Sequence, residues 1–197
     1  MKKIKFLIKY FFFQLPRIYK YKFLSNLKPI GKPSLAQPAL LHGKGKIIFN
    51  GKVILGNPNS PYFYNTYSYF EARDIFSIVE IDSGTAINNN ASIISYGAGI
   101  YIGKNCRIGQ NFQAMDSNFH DLHPEKRNST DPNPQKIVIE DNVFIGSNVT
   151  ILKGVTIGKN SVIGSGSIVN KSIPENSIAA GFPAKVIKEI NITDLES

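Results

Sequence analysis

"IEDNVFIGSNVTILKGVTIGKNSVIGSGSIV", residues 139–169, carries an aliphatic side chain at Ile139, Ile145, Ile151, Ile157, Ile163 and Val169, six apart without a slip. A small or β-branched residue sits two positions before most of these, at Val143, Val149, Val155, Ser161 and Ser167, and glycine follows at Gly146, Gly158 and Gly164. Six is not a helical period, because 3.6 does not divide it and charged residues would fall on every face. It is even, so a long strand would keep the aliphatics on one side, but recurring glycine spoils a long strand. A chain that turns a corner every six residues satisfies both features. Three corners close a triangular coil, so Ile145 and Ile163 should stack with their side chains inward, and glycine should permit the tight corners. Successive coils would pair as parallel strands about 4.8 Å apart, each rung burying its inner face only against its neighbours.

Working outward, the same beat appears at Ile81, Ile87 and Ile93. It resumes after a three-residue slip at Ile102, Ile108 and Ala114, with a fainter echo at Ile47 and Val53. Between Ala114 and Ile137 it stops. "MDSNFHDLHPEKRNSTDPNPQ", residues 115–135, contains Pro124, Pro132 and Pro134 among Asn, Ser and Asp, which marks a loop. A loop of that length inside a regular domain is usually functional or disordered. It holds two of the chain's three histidines, His120 and His123. As a metal site the pair would need a further ligand from Asp116, Asp121 or Glu125, a weak zinc pattern without cysteine. As a solvated loop the histidines would be incidental. As a general base, His120 would offer an imidazole, the side-chain type suited to proton transfer near neutral pH, and needs only a partner to fix its tautomer. Asp116, Asp121 or a backbone carbonyl could each be that partner.

Composition narrows the function classes. The net charge of +9 is unevenly placed: 12 of the 23 basic residues and none of the 14 acidic ones precede Glu71. The body from residue 71 is therefore mildly acidic, which disfavours nucleic acid as a partner. The single cysteine, Cys106, excludes an intrachain disulfide and a multi-cysteine zinc site and fits a reducing cytoplasm. "MKKIKFLIKYFFFQLPRIYKYK", residues 1–22, lacks a signal-peptide cleavage site, and no apolar run approaches the ~20 residues of a membrane span. Ile4, Leu7, Ile8, Phe11, Phe12 and Leu15 fall at helical spacing, and Pro16 should end that helix. The segment reads either as a helix docked on the body or a neighbouring subunit, or as an interfacial helix at the inner membrane face through residues 1–28.

The run "VFIGSNVTILKGVTIGKNSVIGSGSIVNKSIPENSIAAGFPAKVI", residues 143–187, closely resembles the hexapeptide-repeat acyltransferases. It looks most like their galactoside and maltose O-acetyltransferase branch, which includes many surface-polysaccharide acetyltransferases. The resemblance covers roughly residues 79–190. It implies an all-β fold, a left-handed parallel β-helix, assembled as a homotrimer with active sites between neighbouring β-helices and acetyl-CoA as co-substrate. The expected organisation is a basic amphipathic segment over 1–45, a β-helix over 46–190 with the inserted loop 115–136, and a tail over 191–197. Residues from Ala184 onward are expected to cap the open end.

Residue roles follow from the same resemblance. "HDLH" matches the spacing of the family's catalytic histidine and a second histidine three residues later, which assigns His120 the base role and leaves His123 supporting or facing substrate. Asn89, in the run Asn88–Asn90, matches a sugar-binding asparagine. Phe144 falls where relatives carry an aromatic beside the substrate, although trimer packing would suit it equally. Asp116 is a further substrate-side candidate. The backbone at Ser147 matches a contact to the acyl end of the donor, with Gly146 permitting close approach. Ser165, in "GSGS", would lie along the pantetheine arm. Lys153, Lys171, Lys185 and Lys188 are candidates for the donor's phosphates. Gly97 stands where the family has an acidic residue, which leaves the acceptor sugar open. The expected activity is O-acetylation of a sugar hydroxyl in surface-polysaccharide assembly, with no metal. N-acetylation of a nucleotide-linked amino sugar, acetylation of a xenobiotic, and a catalytically silent trimeric scaffold are the alternatives.

Overall fold

The structure is a computed structural model and describes residues 2–191. The six-residue beat builds a three-faced parallel coil. One face stacks Ser34–Leu35, Ile54–Leu55, Ala86–Ile87, Arg107–Ile108, Phe144–Ile145, Val162–Ile163 and Ser177–Gly181. The second stacks Ala39–Gly43, Ser68–Ala72, Ser92–Ser95, Gln113–Met115, Thr150–Ile151 and Ile168–Val169. The third stacks Lys46–Phe49, Ile78–Ile81, Ile100–Ile102, Ile137–Ile139 and Thr156–Ile157. Ile145 lies directly under Ile163, as the period requires. All the aliphatics of the beat from Ile47 to Val169 are buried, and so are Val143, Val149, Val155, Ser161 and Ser167.

The corners are made differently from the expectation. Gly146 and Gly158 are not among the left-handed residues; asparagine takes that role at most corners, and glycine at Gly84, Gly154 and Gly166. Asn90, Asn111 and Asn148, at φ 64, 56 and 59, turn the corner between the first and second faces. Their side-chain amides hydrogen-bond up the stack at 2.8 Å, from Asn90 to Asn111 and from Asn111 to Asn148. Asn142, Asn160 and Asn176 form a second ladder on the corner between the third and first faces. Asparagine tolerates the left-handed region because its short polar side chain can bond locally. The glycines after the inward aliphatics serve vertical packing instead. A Cβ on Gly109 would lie 2.6 Å from the carbonyl carbon of Gly146, and one on Gly146 would lie 2.6 Å from the Ser165 nitrogen. Glycine there lets one coil sit on the next.

The coil begins before residue 46. Ser34–Leu35 and Ala39–Gly43 are already paired rungs, and Ile30 bridges Ile48 in parallel. The first turn escapes the six-residue pattern because three prolines between residues 29 and 38 replace aliphatic punctuation. At the other end, Ser177–Gly181 turns back through a cis Phe182–Pro183 bond into Ala184–Glu189, which pairs antiparallel on the first face. This hairpin covers the last parallel edge, consistent with the expected cap. Of the predicted tail, residues 192–197 lie outside the described residues.

Pro16 does not end the N-terminal helix. Lys2–Lys9 is α-helical, Tyr10–Gln14 widens into a π-turn, and Leu15–Leu24 continues as an α-helix. Proline lacks an N–H and clashes with the carbonyl four residues back. The π-turn places that break at a wider turn, where Leu15 N–H bonds to the Tyr10 carbonyl instead. The helix docks on the coil through polar anchors. The buried Gln14 amide donates to the Ala36 and Phe63 carbonyls, Arg17 donates to the Phe63 and Thr66 carbonyls, and Tyr21 stacks on Tyr67 at 4.3 Å. None of the described helices is long and apolar enough to cross a membrane.

Candidate active site

The loop over 116–136 leaves the corner between the second and third faces and is tied down from both ends. Asp116 is fully buried and accepts four hydrogen bonds from the coil beneath: the Ser95 hydroxyl and the backbone N–H groups of Tyr96, Ala98 and Gly99. Its own carbonyl accepts from Gln135 N–H, which closes the neck of the loop, and the Gln135 carbonyl accepts from Gly154 on the coil above. Asp131 forms the second anchor. It accepts from the Ser117 hydroxyl, the Asn118 and Asn133 N–H groups and the Lys153 ammonium, the last at 2.7 Å. Burial alone would raise the Asp131 carboxyl, but these donors outweigh it and hold its pKa at about 2.

His120 stands exposed on this frame. Its Nδ1 lies 2.8 Å from the Arg127 carbonyl. A carbonyl only accepts, so Nδ1 carries the proton of this bond, which leaves Nε2 as the ring's remaining basic nitrogen. Neither Asp116 nor Asp121 orients the ring: the first is consumed by the coil, and the second accepts from His123 N–H. His123 caps the short Pro124–Lys126 turn, its Nδ1 accepting from Glu125 N–H. Among the described residues no group of three or more His, Cys, Asp and Glu side chains converges to hold a metal.

Phe119, immediately before His120, adopts φ 64, which is costly for an aromatic residue. A stacked arrangement holds it there. The Arg73 guanidinium lies 4.6 Å from the Phe119 ring centre and 5.3 Å from that of Tyr96. Arg73 is itself fixed by a two-pronged bond to Glu71, through Nε at 2.8 Å and Nη2 at 3.0 Å. Burial would raise the Glu71 carboxyl, yet the Arg73 and Tyr69 hydrogen bonds bring it below its ordinary value. Tyr69, half-buried and donating to Glu71, is pushed up to about 12, by burial first and its acceptor second. The sequence reading missed this chain of contacts. Its only trace there is the alternation Tyr69, Glu71, Arg73, which period two puts on one side of a strand.

The other predicted site residues divide by corner. Phe144, Ser147 and Ser165 line one open groove of about 330 Å³ with Asn57, Asn88 and Arg107, along the first face and its corner with the second. Ser147 N–H donates to the Ser165 hydroxyl at 3.1 Å. A Cβ on Gly166 would meet nothing within 4 Å, so the coil edge there is open and flat. Lys171 and Lys185 are exposed. Three assignments fail on geometry. Asn89 is fully buried, accepting from Asn57 N–H and donating to the Asn57, Ser60 and Pro61 carbonyls, so it clamps the 57–61 loop and presents no amide to a sugar. Lys153 is spent on Asp131 and the Asn133 carbonyl and is no free phosphate ligand. Asp116, likewise, is a buried anchor rather than a substrate contact.

Residues 136–171 match the bacterial transferase hexapeptide family of six repeats. The galactoside O-acetyltransferase of Escherichia coli is 42% identical over 119 residues, which cover 51% of this chain and 59% of that protein. The chain thus spans less than two thirds of that relative's length. A galactoside acetyltransferase solved with coenzyme A superposes with a TM-score of 0.55 and 27% identity, covering 91% of this chain and 83% of that one. The polySia-specific acetyltransferase NeuO gives a TM-score of 0.53 at 28% identity, with 80% of each chain covered. Repeat, coil and protruding histidine loop define a left-handed β-helix of hexapeptide repeats. Within that fold the chain matches the hexapeptide family model over residues 136–171 and is similar to galactoside O-acetyltransferases over about half of its length.

Proposed function

We propose that the protein is an acetyl-CoA-dependent O-acetyltransferase that acts on a saccharide hydroxyl with His120 as general base, at sites between the subunits of a homotrimer. One observation carries the reading: an exposed imidazole whose Nδ1 is committed to the Arg127 carbonyl, leaving Nε2 as its basic nitrogen, on a loop pinned at both ends. The acceptor hydroxyl gives its proton to Nε2 as its oxygen attacks the thioester carbonyl. The tetrahedral intermediate collapses by breaking the carbon–sulfur bond, and the departing thiolate takes the proton back from the imidazolium. Ester and free CoA result, and the base is restored. The intermediate's oxyanion needs a preorganised donor. Ser147 N–H is the candidate on this chain, released when the Ser165 hydroxyl turns away.

The division of residues between corners supports the oligomer. His120 and the Ser147–Ser165 groove occupy different corners of one triangular coil, so a single chain holds half a site. Coils packed side by side would bring the histidine loop of one copy to the donor groove of the next. Ser147, Ser165 and the open edge at Gly166 would carry the pantetheine arm, with Lys171 and Lys185 left for phosphates. A saccharide acceptor is favoured by the likeness to galactoside and polySia acetyltransferases, and surface-polysaccharide assembly is the setting that fits it. Release of free CoA with saccharides, amino sugars and no acceptor tests the reading. Turnover is expected with a saccharide hydroxyl and is lost in His120→Ala. Wild-type turnover in that variant would remove the base, and turnover confined to amino sugars would make the enzyme an N-acetyltransferase.

A further inference from the structure

The N-terminal helix carries a surface that acetyl transfer does not use. Its anchors settle which way it faces. Gln14 is fully buried with its amide on two carbonyls and its oxygen on Arg17, so the helix cannot roll about its axis. Ile18 and Tyr21 lie on that same docked side. The opposite side is apolar and uncovered by the other described residues: Ile8, Phe11, Phe12, Phe13, Tyr19 and Phe23 range from 51% exposed at Ile8 to 88% at Phe23. Interleaved with them are the exposed lysines Lys9, Lys20 and Lys22, and no acidic residue occurs before Glu71.

We infer that this face lies on an anionic lipid surface and holds the coil against it. Charge and side-chain type together choose this occupant over a protein. The core of a protein interface is enriched in aromatics but depleted of lysine. An interfacial helix needs both, rings seated at the headgroup level and ammonium groups on lipid phosphates. With the polar anchors on its inner side, the helix lies in the membrane plane and leaves the coil in water. Peripheral attachment of this kind would bring the enzyme to lipid-borne saccharide. The attachment itself does not depend on the acetyl-transfer reading.

The test is flotation of the full chain with vesicles of phosphatidylcholine alone and of phosphatidylcholine with phosphatidylglycerol. Binding is expected only with phosphatidylglycerol and should weaken as salt rises. Substituting Lys9, Lys20 and Lys22 together by Gln should reduce partition about a hundredfold, from the usual gain per basic residue near the surface. Substituting Phe11, Phe12 and Phe13 together by Ser should abolish it with the melting temperature unchanged, since all three rings are exposed. The chain has no tryptophan, so Phe12→Trp supplies a single reporter whose emission should be quenched by brominated phosphatidylglycerol vesicles. Absence of flotation with the anionic vesicles, or undiminished flotation of the triple-serine variant, overturns the inference. So does a triple-serine variant that loses a subunit in light scattering, which would make this face an interface between copies. Acetyl transfer to a soluble saccharide is measured separately, so either proposal can fail alone.

Discussion

The coil and the loop that interrupts it are held by opposite physics. From Ile47 to Val169 the coil repeats one instruction, an inward aliphatic every six residues with asparagine or glycine at the corner, and each rung buries the same kind of surface on the same kind of neighbour. The loop repeats nothing. It is fixed by two carboxylates, one buried under backbone N–H groups and one under a lysine, and by a guanidinium stacked on a strained phenylalanine. A repetitive apolar stack is robust because each contact is one of many. A polar loop is specific because each contact is made once. The exposed His120 imidazole, bonded to the Arg127 carbonyl, stands on the second kind of structure and is braced by the first.

Perturbations of the two regions should therefore read out differently. The largest effect is expected from His120→Ala, a fall of about 10²–10⁴ in kcat, the usual scale for removing a general base. Melting temperature should not move, because the side chain is exposed; a parallel loss of stability would mean that His120 holds the loop rather than serving it. Next comes Ile145→Ala, which should cost about 2–5 kcal/mol in denaturant unfolding. Turnover per folded molecule should stay near wild type, and a catalytic loss larger than the unfolded fraction would show that the coil does more than support.

Arg73→Met should cost about tenfold in kcat, since small misplacement of a reacting group is expensive. The KM for acetyl-CoA should hold, while stability should fall because the buried Glu71 carboxylate loses its ion pair. Arg73→Lys should not restore it, because an ammonium cannot make the two-pronged bond to Glu71. The smallest effect concerns pH. With a folded pKa of about 2, below the ordinary carboxylate value of ~4, Asp131 contributes its anchoring in full above that ordinary value and loses it as pH falls toward 2. Amide exchange over residues 117–133 should speed up in that window before the coil responds. In Lys153→Met, which removes a main donor, the onset should move to higher pH.

Much of this was legible in one dimension. The six-residue beat gave the coil, its inward residues and the stacking of Ile145 under Ile163. The prolines and the break in the beat gave the loop, and its histidine spacing drew attention to His120. The corners were read less well. Asn90, Asn111 and Asn148 are far apart in sequence, so their ladder becomes visible only when the coils are stacked. Asn89 looked like its neighbours and yet points the other way, into a loop clamp. Asp116 and Lys153 carry the charge of binding residues, and nothing local distinguishes a carboxylate that meets substrate from one satisfied by the backbone of another coil. Pro16 reads as a stop because sequence shows the missing N–H and not the wider turn that accommodates it.

By itself the sequence determined the path of the chain, because a periodic apolar pattern is a local property repeated until only one way of burying it remains. It also determined where that path breaks. Only the tertiary structure decided how the break is held: which carbonyl meets the His120 ring, which acids are anchors, which side of the N-terminal helix faces out, and that the Ser147–Ser165 groove and His120 lie on separate corners. Most of those outcomes depend on residues a coil or a loop apart in the chain, such as Gln14 with Ala36 and Lys153 with Asp131. Hydrogen bonds between such pairs obey distance and angle in space, and no spacing along the chain encodes them.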